Sequence, residues 1–263
     1  MQVMGKIAAL GSHGFHTTYA TTMHREVIEL TGQTRPRVLL IPLASGDDSL
    51  YIRTFEQLYR DILGCEVDVL LLRGALQPPA NAKDLIDRAS LIFFGGGENV
   101  SAIAQIKRLG VADWIASACN RGTVAAGEGL GARFLFEGGY ALSMWGIGIE
   151  TPIIVTLQGI GLVRGLLCTG GENELTVEGF AASMLGNLNT GFMLSSGCGL
   201  FIQDRTYYNR VYNGQPGFSR VVANDAFADF VNVFSETPRP LSSLYDGELG
   251  EVALEGYAQN RHR

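Results

Sequence analysis

Four side chains that can transfer protons lie after short apolar segments of this chain. His13 and His16 follow the first apolar segment, Glu98 follows three consecutive glycines, and Glu128 lies in a run of small residues. Loops that follow parallel strands open on the same edge of a sheet, so we expect these side chains to share one polar pocket. They could act as general acid and base. They could also bind a divalent metal, but no short spacing such as H-x-x-x-H supports one, and no metal or other cofactor is expected.

Each of these residues also has a purely structural interpretation. A glutamate in the first turn of a helix is favoured by the helix dipole, which would explain Glu128 without a ligand. Glu98 could cap a helix. His13 and His16 could be ordinary loop residues that form hydrogen bonds.

Short apolar segments alternate with amphipathic ones through the first half of the chain. This alternation predicts βαβ units and a doubly wound, mostly parallel α/β sheet. The predicted strands are residues 6–10, 38–42, 67–72, 91–94 and 123–125, and helical spacing of apolar residues predicts helices over 51–63 and 101–109.

The second half of the chain, from Gly138 onward, is richer in glycine and β-branched residues. This composition predicts a more β-rich half built from shorter strands. We expect one domain over residues 1–235. Residues 236–263 form a polar extension that could be poorly ordered.

Composition excludes several classes of function. The net charge is −6 and the 20 Lys and Arg residues are scattered, so a nucleic-acid partner is not expected. The apolar segments are far shorter than the roughly 20 residues that span a bilayer, so no membrane partner is expected. No secretory signal precedes the first strand, which predicts a cytoplasmic protein. The four cysteines lie far apart and suggest neither a zinc site nor disulfides. A homodimer is compatible with the sequence.

Three segments carry a resemblance to a known family. Residues 37–48, followed by 51–55 and 63–69, look like the second βαβ unit of the dipeptidase E and cyanophycinase-like serine peptidases, family S51. Residues 91–99 resemble the strand of that family that ends in Gly-Gly-Gly-Asn. The resemblance implies a flavodoxin-like fold of the class I glutamine amidotransferase type.

The resemblance also implies that the catalytic triad is lost. The family carries its nucleophile in a Gly-x-Ser-Ala-Gly turn, where small flanking residues let the hydroxyl project. We align this turn with residues 122–129, which places Ala125 at the serine. The family's histidine then aligns with Gly170 and its acidic residue with Ser195. An alanine cannot attack a carbonyl, and three losses favour natural divergence over one engineered change.

A site for an oxyanion is implied by the same resemblance. In active members, backbone N–H groups after the glycine-rich strand and after the nucleophile bind the developing negative charge. The corresponding residues here are Gly96, Gly97 and Ala126, with Asn99 beside them. The alternative is that the glycines only allow the chain to turn.

Three functions are therefore open. The first, which we favour, is a pseudo-peptidase that binds a peptide-like or amino-acid-derived small molecule in the old cleft. The second is a repurposed enzyme that performs non-hydrolytic acid/base chemistry there, such as a lyase, isomerase or cyclase. The third is a serine dipeptidase that carries an engineered Ser-to-Ala change at position 125.

Overall fold

The computed structural model of the protein describes residues 5–12, 14–143, 153–171, 173–187, 189–213, 217–223 and 227–245. Over these ranges the chain forms two β-sheets with helices packed against them. His13 and the end of the predicted polar extension lie outside the described residues. No helix within the described ranges combines the length and the apolar character needed to cross a membrane.

The larger sheet contains the strands of the first half of the chain and three strands from the second half. These are β1 (Ile7–Leu10), β2 (Arg37–Ile41), β3 (Glu66–Val69), β4 (Leu91–Phe94), β5 (Val124–Glu128), β10 (Cys198–Gln203), β11 (Thr206–Val211) and β14 (Arg239–Pro240). Their spatial order is β14-β11-β10-β1-β5-β4-β2-β3. The strands β1 to β5 pair in parallel, and the other three pair antiparallel. The predicted doubly wound, mostly parallel α/β sheet is confirmed.

Helices connect the parallel strands and cover both faces of this sheet. They are α1 (Ala20–Glu29), α2 (Ser49–Glu56), α3 (Ala82–Arg88), α4 (Ala102–Arg108) and α5 (Val111–Asn120). A π-helical segment, Gln57–Ile62, continues α2, and a short 3-10 helix, Leu43–Ser45, follows β2. Both predicted helices, 51–63 and 101–109, are present with nearly the predicted bounds.

Burial on both faces explains the apolar character of the central strands. Every residue of β4 is buried, and alternate side chains enter different cores. Ile92 and Phe94 pack in one core, whereas Leu91 and Phe93 pack in the other. The sheet is thus fixed between two apolar layers, and its carboxyl edge is held as a rigid base for the loops that follow the strands.

The smaller sheet is formed by the second half of the chain. Its strands are β6 (Phe136–Ser143), β7 (Ile153–Gln158), β8 (Val163–Thr169), β9 (Gly191–Leu194), β12 (Phe218–Ala223) and β13 (Ala228–Asn232), in the spatial order β13-β12-β9-β8-β6-β7. The four-residue helix α6 (Leu130–Arg133) links the two sheets, and α7 (Glu174–Met184) packs on the smaller one.

The boundary predicted at residue 235 is wrong. Strand β14 pairs with β11, so the chain after this boundary still adds to the larger sheet. The 3-10 helix Leu241–Leu244 follows, and the side chain of Leu244 is buried in the core. The folded domain therefore extends at least to Tyr245.

Candidate functional site

A sharp strand-to-helix turn lies at the carboxyl edge of the larger sheet, at Gly129. Strand β5 ends at Glu128 and α6 begins at Leu130. Between them Gly129 has φ +52° and ψ −116°, a sparsely populated conformation that costs a residue with a side chain about 1–3 kcal/mol. The surrounding residues 127–131 read Gly-Glu-Gly-Leu-Gly, so a glycine stands where a Gly-x-Ser-x-Gly elbow has its serine.

The prediction that Ala125 marks the nucleophile is wrong. Ala125 is the second residue of β5, is fully buried, and pairs with Ile7 and Ile92 of the neighbouring strands. Ala126 likewise pairs within the sheet, so it does not follow the turn as an oxyanion donor would. The small residues of β5 reflect tight packing at the centre of the sheet. The signal in the sequence for the observed turn is the Gly-x-Gly-x-Gly spacing of residues 127–131.

A chain of hydrogen bonds next to this turn joins α2, the loop after β4 and the end of β5. The Tyr51 hydroxyl, on α2, donates to Glu128 Oε1 at 2.8 Å. The N–H of Gly96, in the loop after β4, donates to the Tyr51 hydroxyl oxygen at 2.9 Å. A Cβ at Gly96 would lie only 2.8 Å from Glu128 Oε1, so a glycine is needed for the carboxylate to reach this place. The N–H of Gly96, predicted as an oxyanion donor, is therefore engaged by the protein itself.

Electrostatics keep this tyrosine protonated. Burial raises the pKa of Tyr51 well above its ordinary value, because a phenolate there would lose its hydration. The nearby negative charge of Glu128 raises the pKa further, and its hydrogen bond favours the protonated phenol. The sequence places Tyr51 in a predicted helix and in a segment that resembles the family, but it predicts no role for Tyr51 at the site. Its partner Glu128 lies 77 residues away in the sequence, and no local pattern signals this pairing.

An open cleft of about 800 Å³ lies beside Tyr51. It is formed by the loops that follow β2, β3 and β4, and it carries charges of both signs from Arg73, Asp48 and Glu98. Its lining residues are Ala44, Ser45, Gly46, Asp48, Tyr51, Arg73, Gly97, Glu98, Asn99, Val100 and Ser101. The Asn99 side chain also donates to Leu43 O at 3.2 Å, which ties the loops after β2 and β4 together.

The predicted four-residue polar pocket is not formed by the described residues. Glu98 is exposed and lines the cleft, whereas Glu128 is buried and does not line it. His16 is exposed and is absent from the cleft lining, and His13 lies outside the described residues. In the described part of the chain no three His, Cys, Asp or Glu side chains are grouped as a metal site would require.

The positions predicted for the histidine and the acid of the triad adjoin each other. Gly170 follows β8, Ser195 follows β9, and the N–H of Gly170 donates to Leu194 O at 3.1 Å. A Cβ at Gly11, just after β1, would meet Ser195 O at 1.9 Å, so this edge of the smaller sheet touches the larger one. Neither position carries a group that could act as a base near neutral pH.

A hydroxyl group from another loop lies beside the turn. A Cβ at Gly129 would be 3.0 Å from Ser12 Oγ, so Ser12 occupies part of the space that a side chain at position 129 would need. Ser12 follows β1, which pairs in parallel with β5. Sequence reasoning missed this residue, because its place follows from the strand register and not from a local motif.

Comparison with known proteins gives concordant results. The model of peptidase family S51 matches residues 7–209. A Bacillus subtilis (strain 168) protein named "Uncharacterized peptidase YgaJ" is 26% identical over 211 residues, which are 78% of this chain and 86% of that protein. A peptidase from an acI-B1 Actinobacterium has a similar structure, with a TM-score of 0.66 and 16% identity over 90% of this chain and 97% of that one. A putative peptidase E protein from Listeria monocytogenes EGD-e gives a TM-score of 0.56 and 15% identity over 79% of this chain and 98% of that one.

The turn predicts a large effect of a small substitution. Gly129→Ala should lower the free energy of unfolding by about 1–3 kcal/mol, because a side chain is strained at this φ and ψ and also meets Ser12 Oγ. Gly32→Ala is a matched control, since Gly32 has φ +69° but open space around its Cβ position. Urea unfolding measures both. If Gly129→Ala lowers the free energy of unfolding by no more than Gly32→Ala does, the assignment of a strained turn at Gly129 is contradicted.

The buried phenol predicts a dependence of stability on alkaline pH. Tyrosine in the unfolded chain ionises near pH 10, whereas folded Tyr51 keeps its proton because its pKa is raised. The unfolded state then binds fewer protons, and stability falls as pH rises, by up to about 1.4 kcal/mol per pH unit from this group. Tyr51→Phe should show a shallower fall than the wild type in urea unfolding between pH 9 and 11. Parallel pH profiles of the two proteins would refute the raised pKa.

Proposed function

We propose that this chain, which belongs to peptidase family S51, is a pseudo-peptidase that binds a peptide-like or amino-acid-derived small molecule in the cleft beside Tyr51. The observation that carries the proposal is the glycine at position 129. The turn that would present a nucleophile has no side chain there, and the attack on a carbonyl has no atom to begin it.

The absence of a base supports the same proposal. A serine hydroxyl becomes nucleophilic through a neighbouring base, most often a histidine. The sequence contains four histidines, and none lies between residues 25 and 261. His24 is buried, and its Nδ1 is hydrogen-bonded to the Tyr59 hydroxyl at 2.8 Å within an aromatic cluster. His24 therefore packs in the core and is not available as a base for a bound substrate.

The engagement of Gly96 argues for binding without acyl transfer. An oxyanion hole needs backbone donors aimed at the place where charge develops. Here the Gly96 N–H already donates to Tyr51, and Tyr51 donates to a buried carboxylate. A developing oxyanion would have to displace the tyrosine and would approach the negative charge of Glu128.

The cleft has the size and charges for a small zwitterionic ligand. Its volume of about 800 Å³ lies within the range typical of small-molecule sites, roughly 300–1,000 Å³. Arg73 can bind a carboxylate, and Asp48 and Glu98 can bind an ammonium group. These are the charged groups of an amino acid or a short peptide.

A second candidate function is non-hydrolytic acid/base chemistry at Tyr51 and Glu128. The specific observation in its favour is the 2.8 Å hydrogen bond between a phenol and a buried carboxylate at the margin of the cleft. Such a pair can pass a proton if Tyr51 turns away from Gly96 toward a ligand. The third alternative, an engineered serine-to-alanine change at position 125, loses its basis because Ala125 lies inside β5.

The lost triad predicts an absence of hydrolysis. The purified protein should not cleave Asp-X dipeptides or cyanophycin-like Asp-Arg polymers above the uncatalysed rate. Gly129→Ser alone should not restore cleavage, because the new hydroxyl would lack a base. Ala125→Ser is the matched control, since it adds the same hydroxyl four residues away within the strand. Release of free aspartate is the readout, and turnover by the wild type or by Gly129→Ser would defeat the proposal.

The charged cleft predicts binding of the same dipeptides without cleavage. Calorimetric titration with an Asp-X dipeptide should detect binding, and Arg73→Gln should weaken it about tenfold, the loss of one charge-assisted hydrogen bond. Arg121→Gln is the control, because Arg121 is exposed and pairs with Asp87 outside the cleft. Equal affinities for the wild type and Arg73→Gln would show that the cleft is not the binding site. A proton-transfer function would instead require that Tyr51→Phe and Glu128→Gln abolish conversion of the ligand while binding persists.

A further inference from the structure

Arg133 is a half-buried cation with an incomplete set of partners. It is the last residue of α6, one helical turn after Gly129. Its Nε donates to Thr169 Oγ1 at 3.1 Å, and its Nη2 donates to the same oxygen at 2.7 Å and to Thr169 O at 3.2 Å. No ion pair of the described residues includes Arg133, and its Nη1 has no hydrogen-bond acceptor among them.

This situation is energetically unusual. Burial lowers the pKa of the Arg133 guanidinium from its ordinary value, because the charged form loses hydration there. Arginine nevertheless remains protonated in proteins, so the positive charge persists. Buried charges in proteins are normally paired. Thr169 provides only neutral oxygens, which leaves the positive charge without a counter-charge in the described part of the chain.

The surrounding residues hold the guanidinium in one orientation. Thr169 is buried and accepts hydrogen bonds from one edge of the group. Gly139 leaves room for the aliphatic stem, since a Cβ there would lie 2.6 Å from Arg133 Cβ. Packing thus fixes the aliphatic stem of Arg133. Two acceptor oxygens fix one edge of its guanidinium. The remaining edge, at Nη1, is oriented in advance for a further acceptor.

Arg133 and its partner lie close in sequence to two positions described above. Gly129, four residues before Arg133, marks the turn where the nucleophile is absent. Thr169, the partner of Arg133, immediately precedes Gly170, the position that the family resemblance assigns to the lost histidine. The hydrogen bonds of Arg133 therefore join the helix that follows Gly129 to the residue that precedes Gly170.

We propose that Arg133, oriented by Thr169, is a binding site for a small oxyanion, a carboxylate or a phosphate. This site is separate from the cleft beside Tyr51, whose lining does not include Arg133. Arg133 contacts the anion directly, and Thr169 is a positioning residue. If the guanidinium served only to join α6 to β8, it would need no edge without an acceptor, and it would not bind added anions.

Arginine-detected NMR tests this directly. The Nε–H signal of Arg133, assigned by its loss in Arg133→Gln, is followed during titration with N-acetylglycine, with the uncharged N-acetylglycinamide and with inorganic phosphate. The carboxylate should shift the signal with an affinity at least about tenfold above that of the amide, and Arg133→Gln should lower the affinity about tenfold or more. Tighter binding of phosphate than of N-acetylglycine would identify a phosphate group as the natural anion. Arg121→Gln should bind like the wild type.

Two variants of the positioning residue complete the test. Thr169→Val keeps the shape of the side chain and removes the hydroxyl, so it should weaken anion binding. The thermal unfolding midpoints of Thr169→Val and Arg133→Gln should both stay within a few degrees of that of the wild type. Thr169→Ser restores the hydroxyl and should restore binding. Equal affinity in the wild type and Arg133→Gln, or no binding of either anion to the wild type, would overturn the inference. Hydrolysis of Asp-X dipeptides would instead overturn the pseudo-peptidase proposal, so the two failures are distinguishable.

Discussion

At Gly129 the backbone turns from β5 into α6 with a positive φ, and the geometry of the candidate site depends on this turn. It ends the strand at Glu128, so that this side chain reaches Tyr51. It also starts a helix of four residues that brings Arg133 to Thr169. The neighbouring Gly131 permits the turn, since a Cβ there would lie 2.3 Å from Phe94 O. The turn therefore has a strained backbone, and the residue at its centre has no side chain.

Polar groups from other elements lie around this turn. Ser12 Oγ lies in the space next to Gly129, and the Tyr51 hydroxyl accepts the hydrogen bond that Gly96 could offer to an oxyanion. Glu128 places a carboxylate against the same tyrosine. Under the proposed function, these groups favour a bound ground-state ligand over a tetrahedral intermediate.

The sequence was sufficient to predict most of the larger sheet. Strand β4 was predicted with its observed bounds, because four consecutive apolar residues buried on both faces have no other simple interpretation. Strand β5 was predicted too short, since Val-Ala-Ala-Gly-Glu has the small residues of a turn. The sharp turn lies at Gly129, four residues after the position at which it was predicted. Small side chains are ambiguous, because they permit both a bend in the chain and the close packing of straight strands.

The side-chain partners at the site could not be predicted in the same way. Tyr51 and Glu128 are brought together by the parallel register of β2, β4 and β5, which no local pattern encodes. The contact between Arg133 and Thr169 depends on how the two sheets meet. By contrast, Gly97 lines the cleft, and it follows closely on a strand that the sequence predicts. Features that depend on neighbouring residues could be predicted from the sequence, whereas contacts between distant segments could not.

The most direct test of the central claim is the intact mass of the protein after treatment with a fluorophosphonate. Such a probe phosphonylates an activated serine with loss of fluoride, and it does not depend on knowing the substrate. The account predicts that the folded wild-type protein keeps its mass, because position 129 has no hydroxyl and no hydrogen bond of the described residues joins Ser12 to a histidine. One stoichiometric adduct on Ser12 or on another serine, lost when the protein is denatured before treatment, would show that an active nucleophile has been retained and would contradict the account.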